Sequence, residues 1–296
     1  MSARAATWAS GTDHDLLVDA RVVTAAELLA APHAAAATLD DVLPLLVAPD
    51  SGVALRRSED MAALTDGTRS YPLRGDLPVL LPAQLHDYFT DRLAVPLAYN
   101  HDAFLQYFLL ASIKQSGEIN AAPDNVHYQR HLFRWRELCR DASGLVLDIG
   151  CDDPQLGAGL LSTRARYVGL DPFCQRPAPF RLIGVGEYVP FADATLDGVL
   201  LNTSLDHILD WRRALSEAWR VLVPGGRLYL STLLWTDRAD LVTDAVHFHH
   251  FRDYEIFSAL DSFTVEVARR YSYKGDCHRH GLYLCARKEP ALGVPA

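Results

Sequence analysis

The sequence lacks the features that would assign it to nucleic acid or to a membrane. Its 296 residues carry a net charge of −9, whereas a general nucleic-acid binder presents a basic surface. No run approaches the roughly 20 apolar residues that a membrane-spanning helix needs, and Asp13 and Asp15 stand where a signal peptide would be apolar. We therefore expect a cytoplasmic protein with no nucleic-acid partner and no membrane partner.

The sequence also lacks a cysteine framework. Its five cysteines are odd in number and scattered without the spacing of metal ligands, at Cys139, Cys151, Cys174, Cys277 and Cys285. Reduced thiols are the state expected for such a set in a cytosolic protein.

What the sequence contains is a pair of apolar strands with characteristic ends. Residues 145–149 read as a buried strand that carries Asp148 near its end and leads into Gly150 and a sharp turn. Residues 167–170 read as a second such strand, which ends at Asp171, 21 residues after Gly150. This pattern predicts a nucleoside-binding βαβ unit in which the second acid accepts hydrogen bonds from ribose hydroxyls.

The turn after the first strand excludes a dinucleotide. A pyrophosphate-binding turn has glycine at 150, 152 and 155, but this chain has Gly150, Asp152 and Gln155. The adjacent carboxylates of Asp152 and Asp153 would repel a pyrophosphate and would suit a ligand that carries an ammonium and a sulfonium. The predicted cofactor is therefore S-adenosyl-L-methionine.

Several further motifs follow in a fixed order. Residues 187–193 and 196–199 are similar to an adenine-side loop and the fourth strand of a nucleoside-binding sheet. A helix and a Pro-Gly-Gly turn over 214–226 lead into a fifth strand at 227–232, and 263–273 with 280–288 alternate as a β-hairpin does.

Together these motifs resemble class I S-adenosylmethionine-dependent methyltransferases over roughly residues 125–288. Asp152 and Pro154 replace the later glycines of that family's first motif. The resemblance implies an α/β fold with a Rossmann-like seven-stranded sheet, a reversed C-terminal strand, helices on both faces, a small N-terminal α+β domain and a helical cap. The cofactor-binding residues that it implies are Asp148, Gly150, Cys151, Asp152, Asp171, Pro172, Gly186, Glu187, Tyr188, Asn202 and Thr203.

The front of the chain is predicted to form three units ahead of a methyltransferase domain at 125–290. Residues 1–40 are an alanine-rich extension with a weak helical pattern over 25–37. Residues 41–83 resemble the small zinc-ribbon-like domain that precedes some methyltransferases, but without its cysteines, so no zinc is expected there. Residues 84–124 are aromatic at helical spacing and form either core between helices or a helical cap over the active site.

Histidines are the candidate bases. Transfer of a methyl group to a hydroxyl requires in-line positioning and removal of a proton, for which neutral histidine is the usual group. His207 follows the fourth strand, and His249 and His250 belong to a second cluster that begins at His247. No metal site is predicted, because no acid is fixed by sequence beside His247 and His249.

The sequence predicts in-line O-methylation of a small molecule, either a natural product or a sugar-like acceptor. The alternatives are methylation of a glycan or a protein, or S-adenosylmethionine binding without methyl transfer. The oligomeric state is open, with a homodimer as one option.

Overall fold

The computed structural model describes residues 21–83, 125–172, 181–235, 247–273 and 276–289. Within these ranges the strands are β1 (Ala35–Ala36), β2 (Arg56–Arg57), β3 (Ala63–Thr65), β4 (Ser70–Arg74), β5 (Leu77–Pro78), β6 (Gly144–Ile149), β7 (Ala165–Leu170), β8 (Arg181–Leu182), β9 (Leu196–Asn202), β10 (Leu222–Trp235), β11 (Phe263–Tyr273) and β12 (Asp276–Lys288). The α-helices are α1 (Ala25–Ala30), α2 (Leu39–Val42), α3 (Val126–Leu138), α4 (Pro154–Gly159), α5 (Trp211–Val221) and α6 (Asp253–Ala259).

The main sheet has the order β1-β7-β6-β9-β10-β12-β11, and β8 pairs with β7 beside β1. Strands β6, β7, β9 and β10 run parallel, and β12 is antiparallel to both β10 and β11. The central strands are apolar on both faces because helices cover both sides of a parallel sheet. The predicted Rossmann-like α/β fold with a reversed C-terminal strand is confirmed.

The sheet has one strand more than the seven predicted. Strand β1 comes from the alanine-rich extension and pairs with Arg166 and Tyr167 of β7. The predicted helical pattern over 25–37 is realised only as α1, which a Thr24–Glu27 capping box begins. Pro32 follows the C-cap and cannot continue the helix, so the chain turns to the open edge of β7.

Residues 41–83 form a small antiparallel sheet of order β2-β3-β4-β5. This sheet joins the main domain through backbone hydrogen bonds, from Leu80 N to Ile183 O (2.7 Å) and from Ile183 N to Pro78 O (2.9 Å). Apolar residues from both parts share one hydrophobic core. The zinc-ribbon resemblance is not confirmed, and the boundary at residue 40 stays a prediction; Ala48 is buried, and Ser51 donates to Asp66 on the surface.

Two further predictions concern the helical cap and the absence of a membrane-spanning helix. The helical cap at 84–124 lies outside the described residues. No helix in the described ranges is long and apolar enough to cross a membrane.

Candidate functional site

The loop after β6 is held tightly against the loop after β9. Gly150 has φ +77°, and a Cβ there would lie 2.5 Å from the Cβ of Ser204. The hydroxyl of Ser204 in turn donates to the carbonyl oxygen of Ile149 (2.6 Å). Glycine is therefore required at 150, because any side chain would push the two loops apart.

Asp152 occupies the backbone conformation that glycine usually supplies. Its φ is +43°, its N–H donates to Asp171 Oδ2 (3.1 Å), and Arg181 donates to its carbonyl oxygen (3.1 Å). Asp153 has a different role, because its carboxylate caps α4 by accepting from the N–H groups of Gln155 and Leu156. The carboxylate of Asp153 therefore caps this helix, whereas the adjacent carboxylate of Asp152 does not.

Replacing these two aspartates should change stability in opposite directions. We expect Asp152→Gly to raise the free energy of unfolding by roughly 1 kcal/mol, because a left-handed φ costs a non-glycine residue about that much. The matched variant Asp153→Ala should lower it by about 1 kcal/mol through loss of the N-cap. Urea denaturation measures both, and two changes of the same sign would contradict this account of the loop.

Asp148 is a buried carboxyl beneath α4. It is 3% exposed, and its Oδ2 accepts a hydrogen bond from the hydroxyl of Tyr167 (2.8 Å). Gly157 of α4 lies directly above, since a Cβ there would be 2.6 Å from Asp148 Oδ2. Burial raises the pKa of Asp148 from 3.8 to about 7, the hydroxyl of Tyr167 opposes this shift, and the charge of Asp171 adds to it.

This shifted pKa predicts a pH-dependent stability. The folded protein holds a proton on Asp148 that the unfolded chain releases near pH 3.8, so the stability from this group is lost as pH rises from about 4 through about 7. We expect Asp148→Asn to unfold at a higher denaturant concentration than the original protein at pH 8, and to show a weaker dependence on pH. A steeper loss of stability with pH in the variant would contradict this expectation.

Asp171 directly follows β7 and lies beside this loop. It is 2% exposed, and Pro172 follows it at the limit of the described segment. Cys151 is buried below, where its Sγ would lie 2.7 Å from a Cβ at Gly169. The predicted ribose acid thus lies at the carboxyl end of β7, next to the turn after β6.

The predicted adenine-side residues form a short 3₁₀ helix, Gly186–Tyr188. Glu187 is buried, and its carboxylate accepts from the N–H of Asp210 (3.3 Å) at the start of α5. The guanidinium of Arg213 donates to the carbonyl oxygen of Glu187 (2.7 Å) and lies 4.0 Å from the centre of the Tyr188 ring. Glu187 is therefore engaged in part by α5, and the adenine contact stays a prediction.

Asn202 and Thr203 lie where β9 ends. The side-chain oxygen of Asn202 accepts from His131 Nε2 (2.9 Å) and from the hydroxyl of Ser231 (3.2 Å). His131 Nδ1 lies 2.8 Å from the hydroxyl of Tyr283. Burial lowers the pKa of His131 to about 4, so its imidazole is neutral at pH 7, and the arrangement fixes the orientation of the Asn202 amide.

His131 is a site residue that the sequence pattern does not predict. The available sequence signal for His131 was its position, one residue before the buried Leu132 and four before the buried Trp135. A polar side chain among such neighbours needs a partner, but the helix alone does not show that the partner is Asn202.

The candidate bases lie at the same carboxyl edge of the sheet. His207 ends a 3₁₀ helix, Leu205–His207, and its ring stacks on that of His247 with centroids 5.0 Å apart. His247 Nε2 lies 3.8 Å from Asp206 Oδ2, and Asp206 is buried. Asp206 precedes His207 in the sequence, but only the folded chain brings its carboxylate beside His247.

His249 and His250 have other surroundings. His249 Nε2 lies 3.0 Å from the carbonyl oxygens of both Ile208 and Leu209, so this nitrogen donates to the backbone. His250 is buried and stacks on Trp235 with centroids 4.2 Å apart. These contacts tie the 247–251 segment to the fold and make His207 the better candidate base of the three.

Comparison with known proteins agrees with this geometry. A family model described as a methyltransferase domain matches residues 147–230. An uncharacterised methyltransferase of Mycobacterium tuberculosis is 36% identical over 110 residues, which are 33% of this chain and 42% of the relative. A 2-phytyl-1,4-naphtoquinone methyltransferase of Thermosynechococcus vestitus is 35% identical over 106 residues, which are 31% of this chain and 47% of the relative.

The chain thus spans less than half the length of these relatives. A solved structure, the 1,6-didemethyltoxoflavin-N1-methyltransferase of Burkholderia thailandensis with bound 1,6-didemethyltoxoflavin and S-adenosylhomocysteine, is 20% identical with a TM-score of 0.49. That match covers 66% of this chain and 93% of the other. The domain match and the names of the relatives support a methyltransferase domain in this chain, with S-adenosylmethionine as its cofactor.

Proposed function

We propose that the protein transfers the methyl group of S-adenosylmethionine to a hydroxyl oxygen of a small molecule. The observation that carries the proposal is the meeting of three loops at the carboxyl edge of the parallel sheet: 150–153, the end of β7 at Asp171, and 202–207. Ligands of open α/β sheets bind at this edge. The methyltransferase match, residues 147–230, includes all three loops.

Methyl transfer from S-adenosylmethionine requires few catalytic groups from the protein. The sulfonium is already an activated methyl donor, so the enzyme must hold the acceptor oxygen in line with the methyl group and let the hydroxyl proton leave. His207 follows the strand that ends beside the cofactor loops, and it stacks on His247 next to the carboxylate of Asp206. We assign removal of the acceptor proton to this group of side chains, with His207 as the first candidate.

The rings around these histidines pack against one another, so the acceptor class is proposed from charge and from a relative. Trp211 packs edge-on against Phe251 (centroids 5.0 Å apart), and Trp235 stacks on His250. None of these four rings is more than 7% exposed, so they support the histidine segment and are not offered to a ligand. The net charge of −9 disfavours nucleic acid as the acceptor, and one relative is named as a 2-phytyl-1,4-naphtoquinone methyltransferase. We therefore propose a hydroxylated aromatic natural product as the acceptor class.

Acceptor-dependent release of S-adenosylhomocysteine tests the proposal. The purified protein would be incubated with S-adenosylmethionine and hydroxylated aromatics, sugars, glycans or protein extracts in separate reactions, and products would be analysed by mass spectrometry. We expect release with hydroxylated aromatics and a product one methyl group heavier. Release only with glycans or proteins would contradict the small-molecule acceptor.

A second candidate is a protein that binds S-adenosylmethionine and transfers no methyl group. The observation that favours it is the departure from the family's first motif, where Asp152 and Pro154 replace glycines. Tight binding of S-adenosylmethionine without release of S-adenosylhomocysteine in any of these reactions would favour this candidate over the first.

A further inference from the structure

We infer that Asp206, His207 and His247, here called the Asp-His-His cluster, form a binding site for a divalent transition-metal cation. One potential ligand atom from each of the three side chains lies within 4.8 Å of the others. The inference rests on the proposed function only in placing the acceptor beside this cluster. Cation binding itself requires neither cofactor nor acceptor.

Asp206 provides the first argument. Its side chain is 5% exposed, and Oδ1 has no hydrogen-bond partner among the described residues. Oδ2 lies 3.8 Å from His247 Nε2, which is longer than a hydrogen bond. A carboxylate taken out of water is costly unless it is paired or coordinates a metal. A cation bound between this carboxylate and the two imidazoles would supply the compensating charge.

The backbone provides the second argument, because it holds the two cluster segments together. The N–H groups of Phe248 and His249 both donate to the carbonyl oxygen of Asp206, at 2.9 Å and 3.3 Å. On the other side, the N–H of His207 donates to the carbonyl oxygen of Ser204 (3.0 Å). The three ligand-bearing residues are therefore fixed relative to one another before any cation binds, which is what a metal site requires of its support.

The rings must turn to bind the cation. The imidazoles of His207 and His247 are nearly parallel, with 23° between their planes, whereas the lone pair of each nitrogen lies in its own ring plane. Bonds of about 2.0–2.2 Å to a metal bring ligand atoms to within roughly 4.4 Å of one another. We expect one imidazole to rotate about its Cβ–Cγ bond on binding, because backbone hydrogen bonds hold the two segments in place.

The donor set selects the kind of cation. Two imidazoles and one carboxylate suit Zn²⁺, Mn²⁺ or Fe²⁺, whereas Mg²⁺ and Ca²⁺ prefer oxygen ligands. Three protein ligands leave coordination positions open for an acceptor oxygen. A metal cation lowers the pKa of a hydroxyl that binds at one of these open coordination positions. His207 would then hold the cation, and the proton of the bound hydroxyl would pass to water rather than to His207.

Calorimetric titration of the metal-free, untagged full chain with Zn²⁺ tests the site. We expect one Zn²⁺ per chain and much weaker binding of Mg²⁺. Asp206→Asn and His247→Gln should each weaken Zn²⁺ binding on the order of 100-fold, because ligand loss costs at least as much as loss of a residue that supports a ligand. The control His33→Gln removes a histidine that bonds the carbonyl oxygen of Ala31, outside the cluster, and should bind as the original protein does.

Two results would overturn the inference: no stoichiometric Zn²⁺ binding, or equal affinity in the original protein and in His247→Gln. Thermal melts show whether each variant is folded, and His247→Gln gives a decisive result even if Asp206→Asn fails to fold. Since the titration contains no cofactor and no acceptor, its failure leaves the proposed methyl transfer intact. Conversely, absence of methyl transfer would not change the measured Zn²⁺ affinity.

Discussion

His207→Ala should lower turnover by about 10² to 10⁴ while leaving the affinity for S-adenosylmethionine nearly unchanged. Removal of the acceptor proton by His207 lowers the energy of the transition state and has no part in cofactor binding. The substitution should therefore lower kcat. The same loss follows if His207 holds a cation that acidifies the hydroxyl. Chelation separates the two cases, because a chelator should slow the original enzyme only in the second.

His249→Ala and His250→Ala are the comparisons that give this result its meaning. Because His249 bonds two backbone carbonyl oxygens and His250 is buried against Trp235, both variants should melt at lower temperature. Their folded fractions should turn over at near-normal rates. If all three variants keep near-normal turnover, none of these three histidines acts as the base. The enzyme would then act by proximity on a nucleophilic acceptor, or through a base such as His101, which lies outside the described residues.

Asp171→Ala should weaken S-adenosylmethionine binding by about 1 to 3 kcal/mol, the range for loss of hydrogen bonds to a charged group. The carboxylate lies at the end of β7 and accepts the N–H of Asp152, so its removal also loosens the adjacent loop. Asp171→Asn keeps a side-chain oxygen that can accept from Asp152 and should therefore lose less affinity than alanine. Calorimetry with S-adenosylmethionine measures both variants.

Asp141→Asn serves as the control, since Asp141 is a largely exposed carboxylate whose described ion pair is with Arg164. It should bind the cofactor as the original protein does. Unchanged affinity in Asp171→Ala would refute the ribose assignment. NAD that bound as tightly as S-adenosylmethionine would refute the cofactor itself, because the turn at 150–155 lacks the glycines that a pyrophosphate requires.

The N-terminal part of the chain shows where sequence reasoning stops. The alanine pattern over 25–37 predicts a helix, but nothing local to it predicts that Ala35 and Ala36 will pair with β7. That pairing depends on an open strand edge contributed by residues 131 positions away. Similarly, the pattern of 41–83 suggests a separate small domain, whereas the backbone bonds of Leu80 and Ile183 and the shared core tie it to the main sheet.

By itself the sequence determined the nucleoside-binding fold, the reversed C-terminal strand and the choice of cofactor. These follow from local patterns: two apolar strands with Gly150 and Asp171 at their ends, a turn without a second glycine, and a C-terminal hairpin.

Only the tertiary structure decided which polar groups act together. His131 meets Asn202 across 71 positions, and His247 meets Asp206 across 41. The burial that raises the pKa of Asp148 likewise comes from α4 and Tyr167 packed above it. Such contacts form when separate strands end at one edge of the sheet, and no local pattern of residues specifies which side chains will meet there.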